Sequence, residues 1–158
     1  MCFVRESQRI ESEEYRDECL AAHQLFLQED ELSVHAVVAL ARSVTANAGI
    51  QVRSARGMDV YVGSYTPPPG GYPILQRLHH YLNTAEVKLT SPAVGASLYG
   101  LHCEYETLHP LTDGNGRTGR AIVLWLANRL SQHERDRILG LGFLRWWYYE
   151  SLGRSRTD

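Results

Sequence analysis

The sequence predicts a single, mainly α-helical domain with one β-hairpin, and three observations predict it. Apolar residues recur at three- and four-residue spacing through most of the chain, which is the period of a helix that buries one face. Only two short segments alternate in the way that strands do, and they are neighbours in the chain. The 158 residues, 44% of them hydrophobic, are enough for one core and too few for two ordinary domains.

Two amphipathic helices are predicted near the N-terminus. The first runs from Ser12 to Gln28. The residues of its buried stripe are Tyr15, Cys19, Leu20, Ala22, His23 and Phe26. The second runs from about Ser33 to Ala46, because Ser33 is suited to cap a helix N-terminus and Asn47-Ala48-Gly49 is suited to end one.

The next segment predicts the hairpin. Ile50-Gln51-Val52 and Val60-Tyr61-Val62 are short alternating runs, and the polar residues 53–59 between them include a glycine. The run Thr66–Gly71 holds three prolines and two glycines, so it is predicted to be a rigid connector rather than a helix.

Four further helices complete the prediction. One begins at Pro73, which is favoured at the first helical position, and ends near Asn83. Another follows Ser91-Pro92 and ends near Leu108. The segment Gly114–Leu130 is apolar on nearly every side, which predicts the central helix, and a last helix covers about Arg135–Leu152. Aromatic residues predicted to lie in the core or at an interface are Trp125, Trp146 and Trp147.

Composition limits the classes of protein to which the chain can belong. A net charge of −2 disfavours a protein whose main role is to coat nucleic acid. The first 14 residues have no apolar core of a secretory signal, and the longest apolar run, Ala121–Asn128, is too short for a membrane span. Cys2, Cys19 and Cys103 are scattered. We therefore expect a reduced, cytoplasmic protein whose partners are neither nucleic acid nor membrane.

One stretch, His109-Pro110-Leu111-Thr112-Asp113-Gly114-Asn115-Gly116-Arg117-Thr118-Gly119-Arg120, carries the chemistry. Within twelve residues it combines an imidazole, a carboxylate, two glycines around an amide and two guanidinium groups one helical turn apart. A general base, a ligand for a hard cation, an anion-binding backbone and a phosphate clamp are the parts that nucleotide chemistry requires.

Two common nucleotide-binding motifs match this stretch poorly. Residues 114–119 satisfy the GxGxxG pattern, but a dinucleotide-binding fold needs a preceding strand and a parallel sheet, and a helix is predicted there instead. The spacing of Gly114 and Gly119 also fits a P-loop, but Arg120 and Ala121 stand where lysine and Ser/Thr belong.

The whole stretch resembles the signature HxFx[D/E]GNGRxxR of the Fic family, within the Fic/Doc superfamily. Every defined position agrees except the aromatic one, which is Leu111 here and keeps an apolar anchor. The resemblance implies a Fic-type helical bundle with a single β-hairpin flap. It also divides the chain into an N-terminal helical extension, residues 1–30, and a catalytic domain, residues 31–152.

The resemblance implies a protein adenylyltransferase, which transfers AMP from ATP to a Ser, Thr or Tyr hydroxyl of a target protein. His109 is then the catalytic base, and Asp113 holds Mg²⁺. The residues expected to bind the nucleotide phosphates are Gly114, Asn115, Gly116, Arg117 and Arg120, with the Asn115 amide as one donor. The flap residues expected to dock the target are Val60, Tyr61 and Val62, through pairing with an extended segment.

Other functions stay open at this point. Within the resemblance, the donor is a different nucleotide (UTP or GTP) or a phosphocholine carrier, or the reaction is phosphorylation, although Gly116 favours nucleotidyl transfer. From another class, the chain is an inactive nucleotide-binding module, which the intact His109 and Asp113 disfavour. A structural zinc site built from His79, His80, His102 and Cys103 is disfavoured by their spacing, and His102 is expected on the packed face of its helix.

Regulation is the last expectation. Many Fic-like proteins are silenced by a helix of pattern [S/T]xxxE[G/N], whose glutamate pairs with the second arginine of the motif, Arg120 here. The nearest match is Ser7 to Ser12, with Ser12 in place of Gly or Asn. Either Glu11 acts in cis, or a separate small antitoxin supplies the glutamate, as in a toxin–antitoxin pair. A cytoplasmic protein and an effector delivered into a host cell are equally compatible with the resemblance.

Overall fold

A computed structural model describes residues 2–90 and 98–130, and helices dominate it. The helices are α1 (Cys2–Ile10), α2 (Asp17–Leu27), α3 (Val34–Thr45), α4 (Tyr72–Thr90), α5 (Leu98–Leu108) and α6 (Asn115–Ala127). The mainly helical prediction is confirmed. The predicted helix over 135–152, with Trp146 and Trp147, lies outside the described residues. Among the described residues, no helix combines the length and the apolar character that crossing a membrane requires.

Helix α6 is the centre of the bundle, as predicted. Eleven of its 13 residues are buried, and it packs against each of α1 to α5. Trp125 is 1% exposed and donates through Nε1 to the Glu29 carbonyl, which confirms it as a core residue. The first turns of α6 contain the second half of the motif, so several candidate functional residues lie on the most enclosed helix of the described fold.

The second predicted helix agrees with α3, and its cap is the expected one. Ser33 is extended and its Oγ accepts the Ala36 N–H at 3.1 Å. The helix ends at Thr45, and Ala46 is its C-cap, with a left-handed φ of 54°. The preceding helix begins later than predicted, at Asp17 rather than Ser12, because Ser12 has a φ of 63° and interrupts the helical path.

Helix α1 was not predicted as a separate helix, and the reason is the chemistry of its packed face. The buried residues of α1 are Val4, Ser7, Gln8 and Ile10, so two of the four are polar. Gln8 Nε2 donates to Cys19 Sγ at 2.9 Å and to the Val44 carbonyl at 3.2 Å. A helix that docks through hydrogen bonds leaves no apolar stripe for periodicity to detect.

The predicted hairpin is wrong. Val52 forms an antiparallel bridge with Leu111, and Val62 forms one with Tyr65, so the runs at 50–52 and at Val60, Tyr61 and Val62 do not pair with each other. The hydrogen-bonding edge of 51–53 is taken by the segment after His109: Arg53 N donates to the Pro110 carbonyl at 2.9 Å, and Thr112 N to the Gln51 carbonyl at 3.0 Å. Among the described residues, these isolated bridges replace the expected two-stranded ribbon.

Helix α4 is longer than predicted. It starts at Tyr72, one residue before Pro73, and continues past Asn83 to Thr90. Its buried face extends with it, because Tyr81, Leu82 and Ala85 all pack into the core. No helix-breaking residue occurs before Ser91-Pro92, so the burial of this face carries the helix onward.

Candidate active site

The motif loop links the end of α5 to the start of α6 and is held by the 51–53 segment. His109 follows α5 directly with a φ of 46°, a left-handed conformation that is costly for a residue with a Cβ. Its N–H donates to the Tyr105 carbonyl at 2.9 Å. The bridge between Val52 and Leu111 then fixes the loop on the opposite side. The backbone at His109 is therefore held at a fixed point between α5 and α6.

Arg53 ties this loop to the flap region, residues 58–68. The guanidinium donates to four carbonyls: His109 through Nε at 2.8 Å, Leu108 through Nη2 at 3.2 Å, and Met58 and Pro68 through Nη1 at 3.1 and 3.0 Å. The residue is 0% exposed, and burial lowers the pKa of its guanidinium. Arg53 thus fixes the strained backbone at His109, a role that its sequence context does not announce.

The start of α6 has the geometry of an anion site. Gly114 is the N-cap with φ 77° and ψ 10°, and no side chain caps the helix. The backbone N–H groups of the first turn of a helix lack partners within the helix, and the helix dipole adds partial positive charge. The expectation that a phosphate binds here stays a prediction, and the geometry is compatible with it.

Gly114 gives a first testable prediction. A Cβ at this position would lie 2.9 Å from Thr45 Cγ2, and the left-handed φ adds a further cost. Gly114→Ala should therefore lower the free energy of unfolding by about 1–3 kcal/mol. Thermal or chemical unfolding measures this, with Gly57→Ala as the control, because Gly57 also has a positive φ (81°) but open space around it. Equal losses in the two variants would contradict the packing argument.

The Asn115 side chain makes its hydrogen bonds within the motif loop. Its Oδ1 accepts the Leu111 N–H at 2.8 Å and its Nδ2 donates to the Leu111 carbonyl at 2.9 Å, and the residue is buried. The side-chain amide closes the motif loop on itself, so it is occupied within the loop, and its expected bond to a phosphate stays a prediction. Its backbone N–H, in the first turn of α6, stays a candidate phosphate donor.

Arg117 is held between α3 and the motif loop. Its Nη1 donates to the Val44 carbonyl at 3.1 Å, near the C-terminus of α3, and its Nη2 lies 3.8 Å from Asp113 Oδ1. A helix C-terminus favours a cation, so this contact orients the guanidinium towards the loop. Asp113 itself is 59% exposed at its side chain, which leaves it accessible beside the α6 N-terminus.

Arg120 is bound by α1 and the residue that follows it. Its Nε donates to Ser7 Oγ at 3.0 Å, and its Nη2 donates to the Ser7 carbonyl at 2.9 Å and to Glu11 Oε1 at 2.6 Å. The guanidinium is 0% exposed. Ser7 and Glu11 are the first and fifth residues of the pattern recognised in the sequence, so the structure brings the pattern's glutamate to the expected arginine.

The Glu11 carboxylate also contacts the anion site. A Cβ on Gly116 would collide with Glu11 Oε1, so this oxygen lies directly against the glycine backbone in the first turn of α6. Ser12, which follows, has a φ of 63°, a conformation that Gly and Asn adopt more readily than Ser. The geometry explains why the pattern favours Gly or Asn there and how Ser12 still completes it at some conformational cost.

Burial disfavours the charged form of two titratable groups that lie beside α1 and α6. Burial raises the pKa of the Tyr105 phenol, whose hydroxyl lies 2.9 Å from Thr118 Oγ1. Burial also lowers the pKa of His23, which packs edge-on against the Phe3 ring of α1 at 6.3 Å.

The remaining histidines do not form a metal site in the described part of the chain. Residues 2–90 and 98–130 contain no group of three or more His, Cys, Asp or Glu side chains that could hold a metal ion. His102 is buried at 2% exposure, which confirms its expected position on the packed face of α5.

The comparisons with known proteins agree with the motif. The sequence profile of the Fic/DOC family matches residues 16–127. The chain is 34% identical over 106 residues to the protein adenylyltransferase Fic of Drosophila grimshawi, which covers 65% of this chain and 22% of that protein. It is 31% identical over 99 residues to the protein adenylyltransferase fic-1 of Caenorhabditis elegans, covering 61% of this chain and 19% of the relative.

The chain thus spans about a fifth of the length of these curated relatives. No solved structure matches it. The family profile nevertheless covers well over half of the chain, and it extends from the turn before α2 to the end of α6, including the whole motif. The chain therefore belongs to the Fic/DOC family.

Proposed function

We propose that this chain transfers AMP from ATP to a Ser, Thr or Tyr hydroxyl of a target protein, and that Glu11 restrains the site in cis. The position of the Glu11 carboxylate carries the proposal, because this anion lies against Gly116 at the α6 N-terminus and binds Arg120. A site that holds a carboxylate through a helix N-terminus and a guanidinium suits a phosphate equally well. The names of the relatives support ATP as the donor.

In the proposed complex, the phosphates of ATP replace the Glu11 carboxylate. Arg120 binds the terminal phosphate, the backbone N–H groups of Gly114, Asn115 and Gly116 bind the others, and Arg117 adds charge from the α3 side. His109 accepts the proton of the target hydroxyl as its oxygen attacks the α-phosphorus. The bond from the α-phosphorus to the bridging oxygen breaks, and pyrophosphate leaves. Positioning and charge stabilisation supply most of the acceleration.

Asp113 fits a role in holding Mg²⁺. The carboxylate is 59% exposed and lies beside the anion site, 3.8 Å from Arg117 Nη2, and one carboxylate with phosphate oxygens is a common ligand set for Mg²⁺. Bound there, Mg²⁺ supplies charge neutralisation at the phosphates.

The target is proposed to dock at the flap region, near Val60, Tyr61 and Val62. Tyr61 is 78% exposed, which is unusual for a large aromatic side chain, and the flap is anchored nearby by the bond from the Tyr65 hydroxyl to the Thr107 carbonyl at 2.8 Å.

A cis-acting Glu11 makes a separate antitoxin unnecessary. Use of ATP fits a cytoplasmic protein or an effector delivered into a host cell.

The position of a radioactive label tests the reaction class. The Glu11→Gly variant should become labelled by ATP that carries the label in the α-phosphate and not by ATP labelled in the γ-phosphate. Labelling from γ alone would replace the proposal with phosphorylation, and stronger labelling from α-labelled UTP or GTP would replace the donor. A protein that takes up label from none of these nucleotides, alone or with a cell extract as target, would contradict the proposed function.

A further inference from the structure

A buried carboxylate lies behind the imidazole of the motif. Glu106 is on α5, three residues before His109, and only 4% of it is exposed. Its Oε2 lies 3.8 Å from His109 Nδ1. The imidazole is itself largely enclosed, with 14% of the side chain exposed, and Nδ1 is among its buried atoms.

The burial of Glu106 calls for an explanation, because removing a carboxylate from water is costly unless it has compensating partners. Its neighbour Glu104, on the same helix, shows the ordinary alternative: it is exposed and pairs with Lys88 at 2.8 Å. Glu106 instead points between α5 and α6, into the space beside the motif. Its position is therefore not that of a solvated helix face.

Helix α6 makes room for this carboxylate with a glycine. A Cβ on Gly119 would lie 2.7 Å from Glu106 Oε1 and 2.9 Å from the His102 ring. Gly119 occupies an unspecified position of the HxFx[D/E]GNGRxxR signature, so the phosphate-binding roles do not account for it. The close approach of α5 and α6 at Gly119 places Glu106 against the motif helix on one side and His109 on the other.

We propose that Glu106 is a positioning residue for His109, an inference that rests on the proposed function. The negative charge of the carboxylate, 3.8 Å from Nδ1, favours the tautomer that carries its proton on Nδ1, so that Nε2 has the lone pair that accepts the target's proton. As the hydroxyl oxygen bonds to the α-phosphorus and pyrophosphate departs, that proton moves to Nε2 and the ring becomes cationic. Glu106 stabilises this cation without touching the substrate or taking up the proton.

Four other groups surround the contact between Glu106 and His109, and none of the four is an anion. His102 lies one turn before it on α5, and His109 one turn after it. From α4 and α5, Tyr81 and Tyr105 face it, and burial raises the pKa of both phenols, so both are neutral. Arg53 reaches the same loop through the His109 carbonyl rather than through the ring.

Glu106→Gln tests the inference in the Glu11→Gly background, because glutamine keeps the shape and removes the charge. The rate constant kcat for AMP transfer should fall by about 10- to 100-fold, with the KM for ATP within about twofold. The acidic limb of the pH–rate profile should move to lower pH, since the imidazolium loses its stabilising carboxylate. Glu106→Asp, which keeps the charge, should leave that limb in place, and Glu104→Gln should leave both quantities unchanged.

A direct titration separates this inference from the proposed function. The His109 imidazole, followed by NMR in the Glu11→Gly protein, should titrate at lower pH in Glu106→Gln than in its parent, whether or not AMP is transferred. An unchanged titration and an unchanged kcat would overturn the positioning role. A shifted titration in a protein that transfers nothing would uphold the contact between the two residues and refute the enzyme instead.

Discussion

Replacing Glu11 by glycine is expected to raise the affinity for Mg²⁺-bound ATP by about tenfold or more. Glu11 forms a 2.6 Å ion pair with the fully buried Arg120 and lies against Gly116, so a phosphate must displace it. A hydrogen bond to a charged group contributes about 1.5–3 kcal/mol, and 1.4 kcal/mol corresponds to a tenfold change in affinity. Titration of both proteins with ATP by calorimetry measures the difference. Self-modification should rise with the affinity.

Glu14→Gly is the matched control, because Glu14 is an exposed glutamate three residues further along the same connecting segment. It should bind ATP as the unmodified chain does. A Glu11→Gly protein with unchanged ATP affinity and a normal unfolding transition would show that the carboxylate does not compete with nucleotide. The antitoxin hypothesis would then be the better explanation of any restraint.

Replacing His109 by alanine is expected to remove nearly all AMP transfer while leaving ATP binding intact. A positioned general base contributes about 100- to 10,000-fold to the rate, and none of the proposed phosphate contacts involves the imidazole. The measurement is the rate of label incorporation and the ATP affinity, both in the Glu11→Gly background. His79→Ala on α4, an exposed histidine, serves as the control.

This prediction requires that the rate of AMP transfer falls in His109→Ala while the affinity for ATP does not. Loss of ATP affinity in His109→Ala would place the imidazole among the binding groups rather than at the reacting oxygen. A rate that stays within a few-fold of the parent would remove His109 as the base. The Arg53 guanidinium binds the backbone carbonyl of His109 at 2.8 Å. Alanine at position 109 has the same carbonyl, so it keeps that bond and the path of the loop.

The sequence predicts the site well where the chemistry is local. His109 to Arg120 forms one loop and the start of one helix, so the order of residues determines their positions. Helix α6 covers Asn115–Ala127, close to the predicted Gly114–Leu130. Ser33 and its cap follow from the same local logic. The pairing of Glu11 with Arg120 was also predictable, although the two residues are far apart in the chain, because the [S/T]xxxE[G/N] pattern links them.

Contacts between polar groups far apart in the chain were not predictable where no known pattern links them. Arg53 gathers four carbonyls from the motif loop and the flap, but a single arginine next to a valine carries no periodicity that predicts it. The edge that the predicted hairpin needed is taken by backbone bonds, from Arg53 N to the Pro110 carbonyl and from Thr112 N to the Gln51 carbonyl. Helix α1 was not predicted for a related reason: Ser7 and Gln8 pack it against the core through hydrogen bonds rather than through an apolar stripe.

Glu106 is an intermediate case. It follows His102 by one helical turn, so it shares the packed face of α5, and a carboxylate on a packed face three residues before a candidate base is a recognisable signal. Only the structure adds that Gly119 on α6 leaves the space it occupies. Helix periodicity gives the face, whereas the depth of burial depends on the partner helix.

The intact mass of the Glu11→Gly protein after incubation with Mg²⁺ and ATP tests the central claim most directly, measured beside the Glu11→Gly/His109→Ala double variant. Release of Arg120 should let the first protein gain the mass of at least one AMP group, and loss of the imidazole should leave the second unchanged. No gain in the first protein, or the same gain in both, would contradict an AMP transferase that Glu11 restrains and His109 drives.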